Sequence, residues 1–277
     1  MQQVPNGAGG GAPMQDAMSQ QPHKPDSPPA PSEDFPGAAG SGPLLMGGEP
    51  APLTEEVVRN ALRAVVDPEL TVGLPPRLTA ATGLDALTHA IEGYLSIYRN
   101  PLSDMCAERA IRLIGAHLRT AVLKGRHSPG ARYHMSLAAT VAGLSFVNSS
   151  VGAVHALSLP FGARYKVGHG ESNAVLLPHV MRYCAPADPA RYADIARWLG
   201  VPAEGRSLRD LALAAADAVE ALVRDCGIEP RLSVYGVKRE DFPAFVDAVF
   251  QVQAHNLERN VRDLSREDLL RIYEAAW

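Results

Sequence analysis

An all-α helical bundle is the fold this sequence predicts after a long polar start, and three observations predict it. Beyond residue 75 no stretch longer than four residues alternates apolar and polar at strand period. Apolar residues recur instead at a spacing near 3.6, as in Leu208, Leu211, Ala215, Val219, Leu222 and Val223, which lines one face of an amphipathic helix. Start and stop signals then divide the remainder into about nine helices.

In chain order, residues 1–50 hold 9 Gly and 10 Pro, against 15 Gly and 13 Pro in the other 227 positions, so the breakers are concentrated at the front. With Phe35 as its single aromatic, the segment 1–53 cannot bury enough apolar surface to offset ordering entropy of roughly 1–2 kcal/mol per residue, and it is read as a disordered tail. The run Gly7 to Gly11 follows no strand and opens no helix, so it is tail and not a phosphate loop. Residues 54–277 form the expected helical domain. Thr54 to Leu62 has helical spacing, Ala64 to Pro68 looks briefly extended, and a helix is expected from Leu78 to Tyr98. Ser103-Asp104 opens a segment that Gly125 closes, Ser128-Pro129 opens the next, and Asp188-Pro189 starts one ending at Gly200. Ser207-x-x-Asp210 and Ser265-x-x-Asp268 read as capping boxes, and Gly227 stops the first of these helices.

Charge and cysteine usage narrow the class. Lys and Arg number 26 against 30 Asp and Glu, which gives no basic field for nucleic acid or anionic lipid. Cys106, Cys184 and Cys226 are odd in number, far apart and in no metal-ligand spacing, as suits a reducing cytoplasm. No apolar run reaches 18 residues and no secretory pattern opens the chain, so a soluble cytoplasmic protein is expected.

Chemistry concentrates in a few side chains. Asp85 and His89 stand at i, i+4, side by side on one helix face, where two ligands from one helix can reach one divalent ion; a surface ion pair is the plainer reading of such a pair alone. Their neighbours, from Ala80 to Ile91, are small or apolar, which points to a buried pair in need of a partner or a metal. His155 lies in an apolar stretch, where a core histidine held by a backbone carbonyl is as good a reading as a ligand. His169 sits between Gly168 and Gly170, which lets the backbone approach a site closely. One Asp and three His make a donor set suited to Fe2+ or Zn2+. Glu92, one turn beyond His89, is a candidate to orient that imidazole. His117, His127, His134 and His179 have no partner at ligand spacing and are assigned to surface or packing. His255 fits either a substrate entrance or a helix-end cation, and Trp198 and Trp277 are read as core anchors.

Three blocks carry a family resemblance: Pro75 to Glu92 (PPRLTAATGLDALTHAIE), Val154 to Gly162 (VHALSLPFG) and His169 to Pro178 (HGESNAVLLP). They resemble the iron-containing alcohol dehydrogenases, group III, most closely in look their lactaldehyde/1,2-propanediol-type members, and the likeness runs from about Asp67 to Trp277. The resemblance implies the helical, dehydroquinate synthase-like C-terminal domain of that family. It also implies a metal held by Asp85 and His89, four residues apart, and by His155 and His169, fourteen apart. For the complete enzyme the resemblance implies a metal that would supply Lewis acidity toward the alcohol oxygen and an NAD(P) that would exchange hydride with the substrate carbon.

Two departures stand out. Many members carry a further His four residues after the third ligand, where this chain has Leu159. Nothing in residues 1–66 has the strands or the Gly-rich turn of a dinucleotide-binding half. The expectation is therefore a metal-binding chain that does not turn over alcohols alone and self-associates, as a homo-oligomer, through the face a Rossmann domain would cover. The rival reading is a truncated, inactive metal-binding helical module.

Overall fold

A computed structural model describes residues 67–277. The expected tail over 1–53, the helix over 54–62 and the start of the extended piece at 64–66 lie outside the described residues. Asp67 is extended as expected but Pro68 is not: the Asp67 side chain accepts the Glu69 N–H and caps a short 3-10 turn, Pro68–Thr71.

Nine helices follow among the described residues, with no strand. They are α1 (Pro76–Leu95), α2 (Pro101–Lys124), α3 (Pro129–Val147), α4 (Ala153–Tyr165), α5 (His169–Cys184), α6 (Pro189–Trp198) and α7 (Leu208–Asp225). α8 starts as Phe242–Ala248, passes through a π-turn over Val249–Gln253 and resumes as Ala254–Leu257; α9 is Arg266–Ala276.

The starts follow local chemistry more closely than the sequence reading placed them. α1 begins at Pro76, whose missing N–H costs nothing in a first turn, and ends at Leu95 because Ser96 is extended. It is shorter at its end than expected. α2 is capped by Asn100 and not by Ser103-Asp104: the Asn100 side chain accepts the Leu102 and Ser103 N–H groups, and Ser103 closes the reciprocal bond from the third helical position. Ser128 precedes α3 at Pro129 as expected but makes no side-chain cap. Asp188 caps α6 through the Arg191 N–H. Ser265 and Asp268 form a full capping box, whereas at Ser207 the Asp210 carboxylate takes the hydroxyl instead of the backbone N–H.

α1 packs against α2, α3 and α5, and α5 packs against α1, α4, α7 and α9. A helix with neighbours on several sides must be apolar nearly all round, and α1 is, with Leu84, Leu87, Ala90 and Ile91 fully enclosed. Behind α4, Phe242, Phe245 and Tyr273 form an aromatic cluster, and the buried Tyr273 hydroxyl donates to the Leu157 carbonyl. Trp198 meets the Tyr94 ring edge to face at 4.5 Å and packs on the core as expected, whereas Trp277 is exposed and is held at the surface by its indole N–H donating to the Val237 carbonyl. No described helix is long and apolar enough to cross a membrane.

Candidate metal centre

Three helices bring Asp85, His155 and His169 together, and His89 adjoins them through His155. α1 carries Asp85 and His89 one turn apart, α4 carries His155, and His169 is the first residue of α5. Donor atoms of Asp85, His155 and His169 all lie within 4.8 Å of one another. His169 Nε2 is 3.5 Å from Asp85 Oδ1, and His89 reaches the cluster through His155, with Nε2 to Nε2 at 3.1 Å. Donors at about 2.0–2.2 Å from a tetrahedral ion stand roughly 3.4 Å apart, so these separations and this N/O donor chemistry fit Fe2+ or Zn2+.

Burial grades across the site. His155 is enclosed, Asp85 and His89 keep about a fifth of their side-chain surface, and His169 is 46% exposed. The expected burial of the Asp85–His89 pair is thus corrected: both side chains are partly exposed, Asp85 borders an open cleft, and its Oδ2 lies 3.8 Å from His89 Nδ1. That cleft, about 560 Å³, is lined by Leu78, Ala81, Asp85, His169, Arg77 and Glu171 among others.

The partner of His155 is a carboxylate, not a backbone carbonyl. Its Nδ1 donates to Glu92 Oε2 at 2.5 Å, and the other Glu92 oxygen accepts the Val154 N–H at 2.6 Å. Glu92 therefore orients His155, not His89. Burial alone would depress the His155 pKa, but the Glu92 hydrogen bond and the charges of Glu92 and Asp85 outweigh it and the pKa is raised. His89 goes the other way, lowered by burial and by the neighbouring His155, and its ring stacks on Phe146 at 4.4 Å.

Of the two glycines beside His169, only Gly170 answers a steric demand. A Cβ there would stand 2.9 Å from the Ala81 carbonyl carbon and 3.1 Å from Asp85 Cβ, whereas one on Gly168 would meet nothing. Close approach of α5 to α1 at this point is what sets His169 beside Asp85. One turn further, Arg77 at the start of α1 donates to Glu171 at 2.6 and 3.2 Å, and Tyr235 donates to the same carboxylate at 2.7 Å.

The sequence reading passed over Asn173, which is fully buried with its Nδ2 2.7 Å from Asp85 Oδ1 and 3.2 Å from the Nε2 atoms of His155 and His169. Its spacing of four from His169 repeats the Asp85–His89 signal and could have flagged it. The remaining histidines pack or face solvent: His117 stacks on His134 at 4.1 Å, His179 meets the Pro230 carbonyl at 2.8 Å, and His127 and His255 are exposed. Leu159, one turn beyond His155, is 40% exposed.

Fold and cluster together define a class: an all-α domain with nitrogen and oxygen donors gathered from three helices beside an open cleft. Residues 79–277 match the model of the Fe-containing alcohol dehydrogenase family, C-terminal part. The chain belongs to the iron-containing alcohol dehydrogenase family, a family of enzymes. It is 44% identical over 214 residues to lactaldehyde reductase of Escherichia coli (strain K12), covering 77% of this chain and 55% of that protein. Against 1,3-propanediol dehydrogenase of Citrobacter freundii it is 42% identical, covering 77% and 54%. Among solved structures, 1,3-propanediol oxidoreductase aligns with a TM-score of 0.74 at 42% identity, over 76% of this chain and 55% of that one. Sulfoacetaldehyde reductase from Bifidobacterium kashiwanohense in complex with NAD+ aligns at 0.67 and 30% identity, over 76% and 53%. The chain spans about half the length of the curated relatives it matches.

Proposed function

We propose that this chain carries the metal-binding half of an NAD(P)-linked alcohol and aldehyde oxidoreductase, with Asp85, His89, His155 and His169 as ligands of Fe2+, or of Zn2+ in its place. The observation that supports the reading is that Asp85, His155 and His169 offer donor atoms within 4.8 Å of one another, with His89 adjoining them through His155. When bound, such an ion supplies Lewis acidity toward the substrate oxygen. The chain's own groups prepare for it. Glu92 accepts the His155 Nδ1–H, so that the Nε2 lone pair faces the cluster, and the same carboxylate fixes the first turn of α4 through Val154. The cleft beside Asp85 and His169 has the size for a short alcohol, diol or aldehyde, in keeping with the names of the relatives. NAD(P) use is supported by the NAD+ complex of a structural relative.

The test is metal analysis of the purified chain after loading with Fe2+ or Zn2+, beside His155→Ala. One bound ion in the wild type and little in the variant, at unchanged helix content, is the expected result; full occupancy in the variant would remove His155 from the ligand set. Supplying NAD+ and NADP+ with short alcohols and diols, and following the reduced cofactor, should show no turnover by this chain alone; turnover at ordinary enzyme rates would show that it holds a cofactor site of its own.

A further inference from the structure

Asn173 raises a question that packing alone does not answer. It is fully buried on α5, and its Oδ1 has no hydrogen-bond partner. A buried acceptor without a partner is a cost, and Leu, with the same branching and number of side-chain heavy atoms, would occupy the position without it. The polar half that is satisfied faces the candidate ligands: Nδ2 lies 2.7 Å from Asp85 Oδ1 and 3.2 Å from the Nε2 atoms of both His155 and His169. The amide orientation is decided by Asp85. A carboxylate only accepts, so turning the amide over would press two oxygens together at 2.7 Å.

We infer that Asn173 is a positioning residue of the metal centre, whose amide N–H holds the Asp85 carboxylate in the orientation that faces His155 and His169. This rests on the ligand assignment proposed above. The Asp85 bond is the one that matters when an ion is held, because a carboxylate oxygen has a lone pair to spare for the amide and an imidazole Nε2 does not. Asn173 thereby does for the carboxylate what Glu92 does for His155: it removes freedom the ligand would otherwise lose on binding. Two outer partners, one acidic and one neutral, restrain His155 and Asp85 while adding only one negative charge. Removing an outer partner of this kind costs about 10- to 100-fold in metal affinity.

The experiment compares the whole chain with Asn173→Ala, Asn173→Leu and Asn173→Ser. Zn2+ affinity is measured by competition with a chromophoric chelator, and the visible spectrum is recorded after Co2+ loading. Far-UV circular dichroism and melting are followed without metal. The inference expects Ala and Leu to bind Zn2+ about 10- to 100-fold more weakly with altered Co2+ bands, and Ser, which keeps a donor, to recover part of both. Leu carries the comparison if the Ala cavity prevents folding. Wild-type affinity and an unchanged Co2+ spectrum in Ala and Leu would overturn it, as would a lower melting temperature with no spectral change. Failure of the wild type itself to bind Zn2+ or Co2+ would instead defeat the ligand assignment.

Discussion

Gly170→Ala separates what local helix propensity favours from what the meeting of α1 and α5 permits. In an exposed helix interior, Ala in place of Gly adds about 1 kcal/mol of stability. At position 170 the added Cβ would lie 2.9 Å from the Ala81 carbonyl carbon and 3.1 Å from Asp85 Cβ, with the Ala81 oxygen nearer still; ordinary contact begins at 3.4 Å. Backbone atoms cannot swing aside as a side-chain tip can, so the helices must part by roughly half an ångström or more, with an overpacking cost of about 1–3 kcal/mol. The two effects leave a net loss of up to about 2 kcal/mol, or up to roughly 8 °C of melting temperature for a domain of this size. The displacement falls between His169 and Asp85, so metal affinity should drop with it. Gly143→Ala is the control: it lies inside α3, a Cβ there would meet nothing, and it should stabilise. Thermal melts of both variants and chelator competition for Zn2+ make the measurement. Equal stabilisation by the two substitutions, with unchanged affinity, would refute the packing argument.

Three further outcomes are expected. Glu92→Gln leaves His155 with a neutral partner and should weaken Zn2+ binding by about 10-fold or more, read by the same competition. The Asp268 carboxyl is held down to about 2 by hydrogen bonds from the Tyr183 hydroxyl and from Ser265, so it stabilises the fold above its unfolded pKa and loses that contribution as pH falls through about 4 to 2. In urea titrations across that range Asp268→Asn should be flatter than wild type, at a cost of about 1 kcal/mol near neutral pH; parallel curves would show the cap to be idle. Deleting residues 1–53, whose composition cannot supply a core, should leave the melting temperature of the remainder within a few degrees.

Much of the site was legible because its signals are local. Asp85 and His89 share a helix face at any tertiary arrangement, and His155 and His169 each lie in a recognisable block. What was not legible depends on chain segments distant in sequence. Glu92 lies one turn from His89, and nothing along the sequence shows that α4 delivers His155 closer to it. The same holds for exposure: small apolar neighbours suggested a buried Asp85, yet one side of α1 borders the cleft. The start of α2 shifted for a simpler reason. Asn100-Pro101 already had the residues a cap and a first turn need, and Ser103 belonged to the third helical position.

The donor set also ties distant parts of the chain. Asp85 and His155 are separated by about seventy residues that include all of α2 and α3, and an ion held by both would fasten the ends of that loop. Such a clasp acts on survival as well as on chemistry. Global unfolding must release the ion or carry it along as a cross-link, so free ion in solution slows the escape of α1 from α4 and α5 by mass action. A chelator should then shorten the lifetime of the folded domain under protease even where helix content at rest is unchanged. In that sense the metal centre would be a latch on the bundle's durability, separable from any hydride it helps to move.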